Sequence, residues 1–504
     1  MKIEIKRYND VWFDNGLITF SNLLDDLEEM YELKQNTLTH LKLNYELHDE
    51  NKFTKTLSSQ IKGLIQNIII DTEDKATQQR KQVKKDFVLI QEGKKIGGKV
   101  AFKENIYSED KTNKVIQKLF DNLKGDKKRC FLCGRTFKSN YKNLQQASYP
   151  FVTKIKSLSG IRSGEDLKLS EYVKDYCPQC YLIGVLVWID PTLIYRTIPG
   201  QKSILILPNS EDLTKLKKLK NSYYNQLNKN NRYSNIRIDI EKEETENTPD
   251  KYSTLISFYE NFIRYTDPEL NCQNWYIVEI PLSGSVKNPK YFNIFLENNT
   301  INVLIALIRN DDPMLFYRGF VKETYFFNND AKRGLRNFDH EKVMQEGFCR
   351  TFINNDFAGF AHNFLPQQGG HIGLTKHARQ ILDILIYEWR IKPMNKLSED
   401  DVKTLQLAGL TIANLSENHV SLFYKLEKAK SPHNFYKAMQ EITRRFVIDE
   451  SKKNVYPGSI SNLMNLIIAN QDDPKAFEDI KNILLIYASI KGYKKPETKE
   501  VNNE

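Results

Sequence analysis

No stretch of this 504-residue chain is apolar for long: the longest uninterrupted run, Tyr181 to Ile189, has nine residues. A membrane-spanning helix needs about 20, so the run predicts a buried strand or a short core helix. Nor does the N-terminal MKIEIKRYND carry the apolar region of a secretory leader. It alternates apolar and charged residues as a strand does, which predicts a protein kept in the cytoplasm and off membranes. No P-loop, nucleophile elbow or HExxH is present, so the common signatures of nucleotide hydrolysis, ester hydrolysis and zinc proteolysis are missing. Histidine is absent from residue 49 to residue 339. What is there, 40% hydrophobic and 27% charged residues, describes an ordinary globular protein, and the length predicts two to four domains.

Cysteine is scarce but patterned. Six occur, at 130, 133, 177, 180, 272 and 349, and four of them form two Cys-x-x-Cys pairs, CFLC and CPQC, with 43 residues between the pairs. Thiolates two residues apart converge on one centre when the chain turns between them, and two such turns make the tetrahedral four-sulfur cage that Zn²⁺ prefers. Gly134 suits the knuckle turn after the first pair because it tolerates positive φ, and Pro178 pre-sets the turn of the second. The competing readings are a disulfide pair, which a cytoplasmic location disfavours, and a thioredoxin-like redox motif, which needs only one pair. Cys130, Cys133, Cys177 and Cys180 are therefore the expected ligands of a structural Zn²⁺, with no open position for substrate. Cys272 and Cys349 are expected in the core.

Charge is unevenly spread. Of a net +10, residues 75–143 hold 19 Lys/Arg against 7 Asp/Glu. Such a segment attracts polyanions through counterion release; the competing reading is a solvated lysine-rich surface. Within it lies GKKIGGK at Gly93–Lys99. There Gly97 and Gly98 allow close backbone approach to a duplex, and Lys94, Lys95 and Lys99 can take its phosphates, unless the segment is a plain hairpin turn. Lys127, Lys128 and Arg129 lead into the first cysteine pair, and Arg162, between two glycines in SGIRSGED, can reach a groove or a phosphate or sit in a simple turn.

The pattern predicts an α+β protein: a mixed N-terminal body with an inserted four-cysteine zinc module and a C-terminal helical bundle. The expected divisions are 1–127 (α/β body with the basic segment), 128–182 (zinc module), 183–374 (continuation of the body) and 375–504 (bundle). A strand opens the chain, followed by a helix from about Ser21, with Ser21 as its cap and Asp25, Asp26, Glu28 and Glu29 in its early turns. Strands are expected at Leu182–Ile189, Ser203–Leu207, Trp275–Leu282 and Tyr291–Leu296, and a mobile polar insertion over 210–250. Residues 375–492 should hold five or six helices. Their end signals are a capping box at Ser398–Asp401, Ser431-Pro432, Asp473-Pro474, and Gly492 as the last C-cap.

Two catalytic constellations compete with this. A zinc-knuckle HNH nuclease needs a histidine base beside the knuckle, and none lies between Cys133 and Cys177. His362, His371 and His377 cluster in sequence, with Asp356 nearby, but His371 and His377 are six apart and miss the i, i+4 spacing of a helical metal pair. They leave a metal-dependent nuclease as a minor alternative to a loop packed on the bundle.

Taken together, WFDNGLI at Trp12–Ile18, CFLCG, CPQC with its following apolar run, and the helical C-terminus resemble the CXXC–CXXC large subunit of type I-B CRISPR Cascade. The resemblance covers nearly the whole chain. It implies a non-catalytic subunit near the 5′ end of the guide CRISPR RNA, which binds target double-stranded DNA, reads a protospacer-adjacent motif, helps open the duplex and recruits a helicase–nuclease. Its implied partners are the Cascade backbone and guide-end-capping subunits and a small subunit. The last is often the C-terminal bundle made separately from an internal start. Here Trp389 must be TGG, and Arg390 as AGA or AGG completes a ribosome-binding sequence three codons before Met394. Outside the resemblance, a stand-alone zinc-ribbon nucleic-acid-binding regulator remains open.

Overall fold

The computed structural model describes residues 2–35, 42–69, 95–96, 99–100, 109–141, 149, 175–198, 202–227, 236–237, 250–265, 272–281, 290–309, 314–328, 336–367, 370–394, 396–415, 420–446 and 456–492. It is a mixed, helix-rich fold with several small sheets and a cluster of four cysteines. The chain divides into two compact units, residues 1–240 with 265–294, and residues 241–264 with 295–504.

The first unit is built on two buried helices. β1 (Lys2–Lys6) leads into α1 (Val11–Asp25). Asp10, not Ser21, caps α1, its carboxylate accepting from the amides of Trp12 at 2.9 Å and Phe13 at 3.1 Å. Ser21 lies inside the helix, buried, and Asp25 and Asp26 stand at its C-terminal end. The expectation of a later start is corrected because an aspartate in extended conformation is as good a cap as serine. β2 (Tyr31–Gln35) and β3 (Lys42–Leu47) join β1 in a sheet of order β1-β3-β2. α2 (Glu50–Ile69) follows, then β4 (Lys95–Ile96), β5 (Lys99–Val100) and α3 (Glu109–Leu123), which packs on α2. β6 (Lys128–Arg129) and β7 (Thr136–Phe137) form a short antiparallel ladder.

The apolar run expected as a strand at Leu182–Ile189 is instead α4 (Pro178–Ile189), buried along its whole length. A run apolar on every face carries no period that separates strand from helix. The decision lies at its start, where Cys177 caps and Pro178 occupies the first helical position. α4 packs on α1 at very close range. A Cβ on Gly16 would stand 2.1 Å from the carbonyl oxygen of Ile183, so only glycine lets the backbones approach this way. Trp12 donates its indole N–H to Gly184 O at 2.9 Å and meets Trp188 edge-on at 5.0 Å. Trp12 and Gly16 of WFDNGLI thus lie on the helix face that interlocks with α4.

β8 (Ile194–Ile198), β9 (Lys202–Asn209), β10 (Ile236–Arg237), β11 (Asn274–Pro281) and β12 (Lys290–Phe295) form a five-stranded sheet, order β10-β8-β9-β11-β12. The three strands expected at 203, 275 and 291 are all in it. α5 (Leu213–Leu227) occupies part of the stretch expected as a mobile insertion. Its Lys220 is buried and ion-paired with Asp190, also donating to Asn15 O at 3.2 Å. Asp190 in turn accepts from the amide and hydroxyl of Thr192. A buried charge pair of this kind is tolerated because its hydrogen bonds are filled.

The second unit holds α6 (Lys251–Tyr265), α7 (Asn298–Ile308), a π-helical turn at Phe316–Val321, β13 (Thr324–Asn328), α8 (Phe338–Ile353), α9 (Phe357–His362) and β14 (Gly370–Leu374). Its core is aromatic: Phe316 stacks on Phe352 at 4.2 Å, and Trp389 meets Phe352 and Phe360 edge-on. α10 (Lys376–Ile386) runs on through a π-helical turn, Tyr387–Ile391, to Met394. α11 (Glu399–Leu415), α12 (Val420–Glu427), α13 (Pro432–Phe446), α14 (Pro457–Ala469) and α15 (Pro474–Ser489) follow. The predicted helix starts appear as such. Ser398 and Asp401 exchange the two bonds of a capping box, and Asp473 accepts from Lys475 N and Ala476 N before Pro474. Gly492 does not cap α15; with Lys491 it forms β15, which pairs parallel to β14. Among the described residues no helix is long and apolar enough to cross a membrane.

Candidate metal centre

The first knuckle grows from the β6–β7 ladder. Cys130 N donates to Arg135 O at 2.8 Å and Gly134 N to Cys130 O at 2.9 Å, closing a tight turn over CFLCG. Gly134 takes φ +71°, the left-handed conformation the turn requires. The second knuckle is the start of α4. Cys177 sits in extended conformation as the N-cap, and its sulfur accepts from Cys180 N at 3.4 Å. The cap therefore also supplies a donor sulfur, at the helix end where the backbone dipole favours negative charge. Cys177 N donates to Cys130 Sγ at 3.4 Å, tying one knuckle to the other.

The four sulfurs converge. Sγ–Sγ distances are 3.4 Å for Cys177–Cys180, 3.6 Å for Cys133–Cys177 and 3.8 Å for Cys130–Cys180, and all four lie within 4.8 Å of one another. A tetrahedral ion with arms of about 2.3 Å has ligand–ligand edges of about 3.8 Å, whereas a disulfide bond is about 2.05 Å. The spacing fits a shared cation and excludes disulfides. Cys130, Cys177 and Cys180 are buried, while Cys133 is partly exposed.

Burial pushes the Cys177 and Cys180 thiols well up, while hydrogen bonds from Cys133, Cys177 and Cys180 pull Cys130 down. A divalent cation is the group that lets four packed sulfurs give up their protons together. Tyr8 lies against the cluster with its hydroxyl 3.2 Å from Cys180 Sγ. Burial, then the neighbouring sulfurs, hold its phenol well above the ordinary range, so it stays protonated beside the sulfur. Tyr176 OH donates to Cys180 O at 3.1 Å, Lys128 pairs with Asp175 at 2.9 Å, and the Arg135 guanidinium bonds the buried Gln179. Such outer contacts orient ligands and tune the site.

Of the other expected site residues, Lys127 is exposed beside the knuckle and Arg129 donates to Gly134 O at 3.2 Å. Lys95 and Lys99 lie on the β4–β5 ladder, which pairs Lys95 with Val100 and Ile96 with Lys99 as a hairpin does. Lys94, Gly97, Gly98 and Arg162 lie outside the described residues. The three histidines do not share a centre. His362 pairs with Glu427, His377 lies 3.0 Å from Glu323, and His371 is on β14 beside the Phe327 ring. Asp356 caps α9. Among the described residues the four cysteines are the one group placed to hold a metal ion. Cys272 and Cys349 are buried elsewhere, as expected of core residues. Sequence reasoning missed Tyr8, Gln179 and Arg135. Only the adjacency of the last two to a cysteine pair signalled them, and Tyr8, far away in sequence, gave no signal.

Fold and site together define a protein in which four cysteines from two distant chain segments are drawn to one point, close enough to hold a metal ion. No protein-family profile matches this chain, and no curated protein matches it in sequence.

Proposed function

We propose that this chain is the large subunit of a CRISPR RNA-guided surveillance complex of the Cascade type, acting in the cytoplasm without catalysis of its own. In this reading Cys130, Cys133, Cys177 and Cys180 hold a structural Zn²⁺, whose four sulfur donors leave no position for water or substrate. The metal stiffens a body that binds target double-stranded DNA, reads a short protospacer-adjacent motif and helps open the duplex, while the guide RNA reads the remaining sequence by pairing. The helices from α10 to α15 form the C-terminal bundle that lines the strand path, and the assembled subunit recruits a helicase–nuclease.

The observation that carries the reading is the four-sulfur cluster, built from two pairs 43 residues apart and flanked by Lys127, Lys128 and Arg129. A rigid knuckle beside cations is a platform for polyanions. The test is affinity purification of the tagged chain from its native cell. Guide RNA and a backbone subunit in several copies should come with it. A chain that arrives with neither overturns the reading and leaves the stand-alone zinc-ribbon regulator.

A further inference from the structure

Beside the partly exposed Cys133 lies an open pocket lined by Lys6, Tyr8, Cys133, Gly134 and Arg135, about 390 Å³ in volume counting its open mouth. Three features shape it. Two cations far apart in sequence, Lys6 at the end of β1 and Arg135 just after the knuckle, share one concavity. The Arg135 guanidinium is held at one end by Gln179, itself buried at the start of α4, so its planar fork is fixed in advance. Gly134 presents no side chain, and Arg129 lies against it through its bond to Gly134 O. Among the described residues no carboxylate lines the pocket.

We propose that this pocket binds a phosphate of a nucleic-acid strand, with Arg135 and Lys6 as the groups that hold it. A fixed guanidinium fork matches the oxygens of a phosphate in bidentate fashion, and a lysine beside it adds a second positive charge. The pocket is open to solvent and too small for a duplex, so a single phosphate group is the ligand its two cations suit. The proposal rests on the nucleic-acid reading above and names a contact within it. A different role for the same cations is to balance the negative charge that four thiolates leave around a divalent ion, and the experiment separates the two.

Full-length Lys6→Gln/Arg135→Gln chain is compared with wild type and with a control pair, Arg309→Gln/Arg318→Gln, which removes the same charge at exposed positions outside the bundle and outside the pocket. Bound zinc is measured in each. Affinity for a single-stranded 12-mer, made as RNA and as DNA, is followed across salt concentrations. The pocket variant should bind about 10-fold more weakly at 150 mM salt, with the log–log salt slope reduced by about one per lost phosphate contact, and with zinc content unchanged. Loss confined to the RNA arm assigns the phosphate to the guide, and loss confined to the DNA arm assigns it to the target strand. A loss no larger than the control's overturns the pocket, as does release of zinc, which would give the cations the charge-balancing role. If the wild type binds neither strand, the nucleic-acid reading itself fails.

Discussion

The indole N–H of Trp389 donates to Asn355 Oδ1 at 2.7 Å, and Asn355 holds a left-handed backbone with φ +53° just beyond the end of α8. One residue thus closes a helix, as asparagine can at that position, and satisfies the polar atom of the aromatic core's largest ring. Asn355→Ala should cost about 2–3 kcal/mol, from strain at positive φ together with an unpaired buried donor. Asn355→Gly keeps the backbone relaxed and should cost less. Thermal unfolding of the pair checks this ordering, and equal losses would show that the backbone conformation contributes nothing.

Removal of the metal should loosen the first unit. The wild type should carry one zinc per chain, and Cys177→Ser or Cys180→Ser should lose most of it. Cys272→Ser and Cys349→Ser should keep it, because those thiols are buried away from the cluster. Chelation should lower the unfolding temperature by roughly 10 °C or more, since a structural zinc contributes several kcal/mol. Metal analysis and melting curves on the same samples test this; full zinc content in the Cys180 variant would remove that residue from the ligand set.

Asp14 gives a pH dependence of definite sign. Buried in α1, its carboxyl is pushed from 3.8 up to about 6, mainly by burial, with the Tyr8 amide and Arg7 opposing. Arg7 Nε stands 3.6 Å away, too far for a hydrogen bond. A raised carboxyl pKa means that the folded state favours the proton. The stability this confers is complete below pH 3.8 and is lost as pH rises through 6. Asp14→Asn does not titrate, so relative to wild type it should gain up to about 3 kcal/mol between pH 4 and pH 8. Denaturant melts of both proteins at matched pH, metal-loaded, check this; a difference that stays flat would show Asp14 ionising normally.

The internal start makes a prediction at the level of products. Met394 ends the run that continues α10, and α11 to α15 follow it, so a chain begun there would carry five helices in 111 residues (394 to 504). It would lack Arg390, whose Nε lies 3.7 Å from Asp479 of α15. Expression of the native gene should yield this short product beside the full chain. Replacing the Met394 codon with one for leucine should abolish it, and an undiminished band would dismiss the idea.

Much of this was legible in sequence where a signal is local. Cys-x-x-Cys spacing pointed to the four cysteines that cluster, Asp473-Pro474 to the start of α15, and Ser398–Asp401 to that of α11, because each depends on residues within one turn of each other. Two failures share a cause. The run at Leu182–Ile189 is apolar on all faces, so it hides its period, and Ser21 imitates a cap inside a helix already begun at Asp10. In both, the deciding cap lies just upstream, at Cys177-Pro178 and at Asp10, and the two helices so begun then pack through Gly16 and Trp12, a contact between residues some 170 apart in the chain. Tyr8 was illegible because only the folded β1 brings its hydroxyl to Cys180.

Cys133 and Cys177 are 44 residues apart in sequence, and their sulfurs stand 3.6 Å apart. The cluster therefore closes a loop of the chain, and the entropy of closing a loop grows only logarithmically with its length. Residues added between the two pairs would thus weaken the clasp very little, and the register of α1 against α4 would not depend on them.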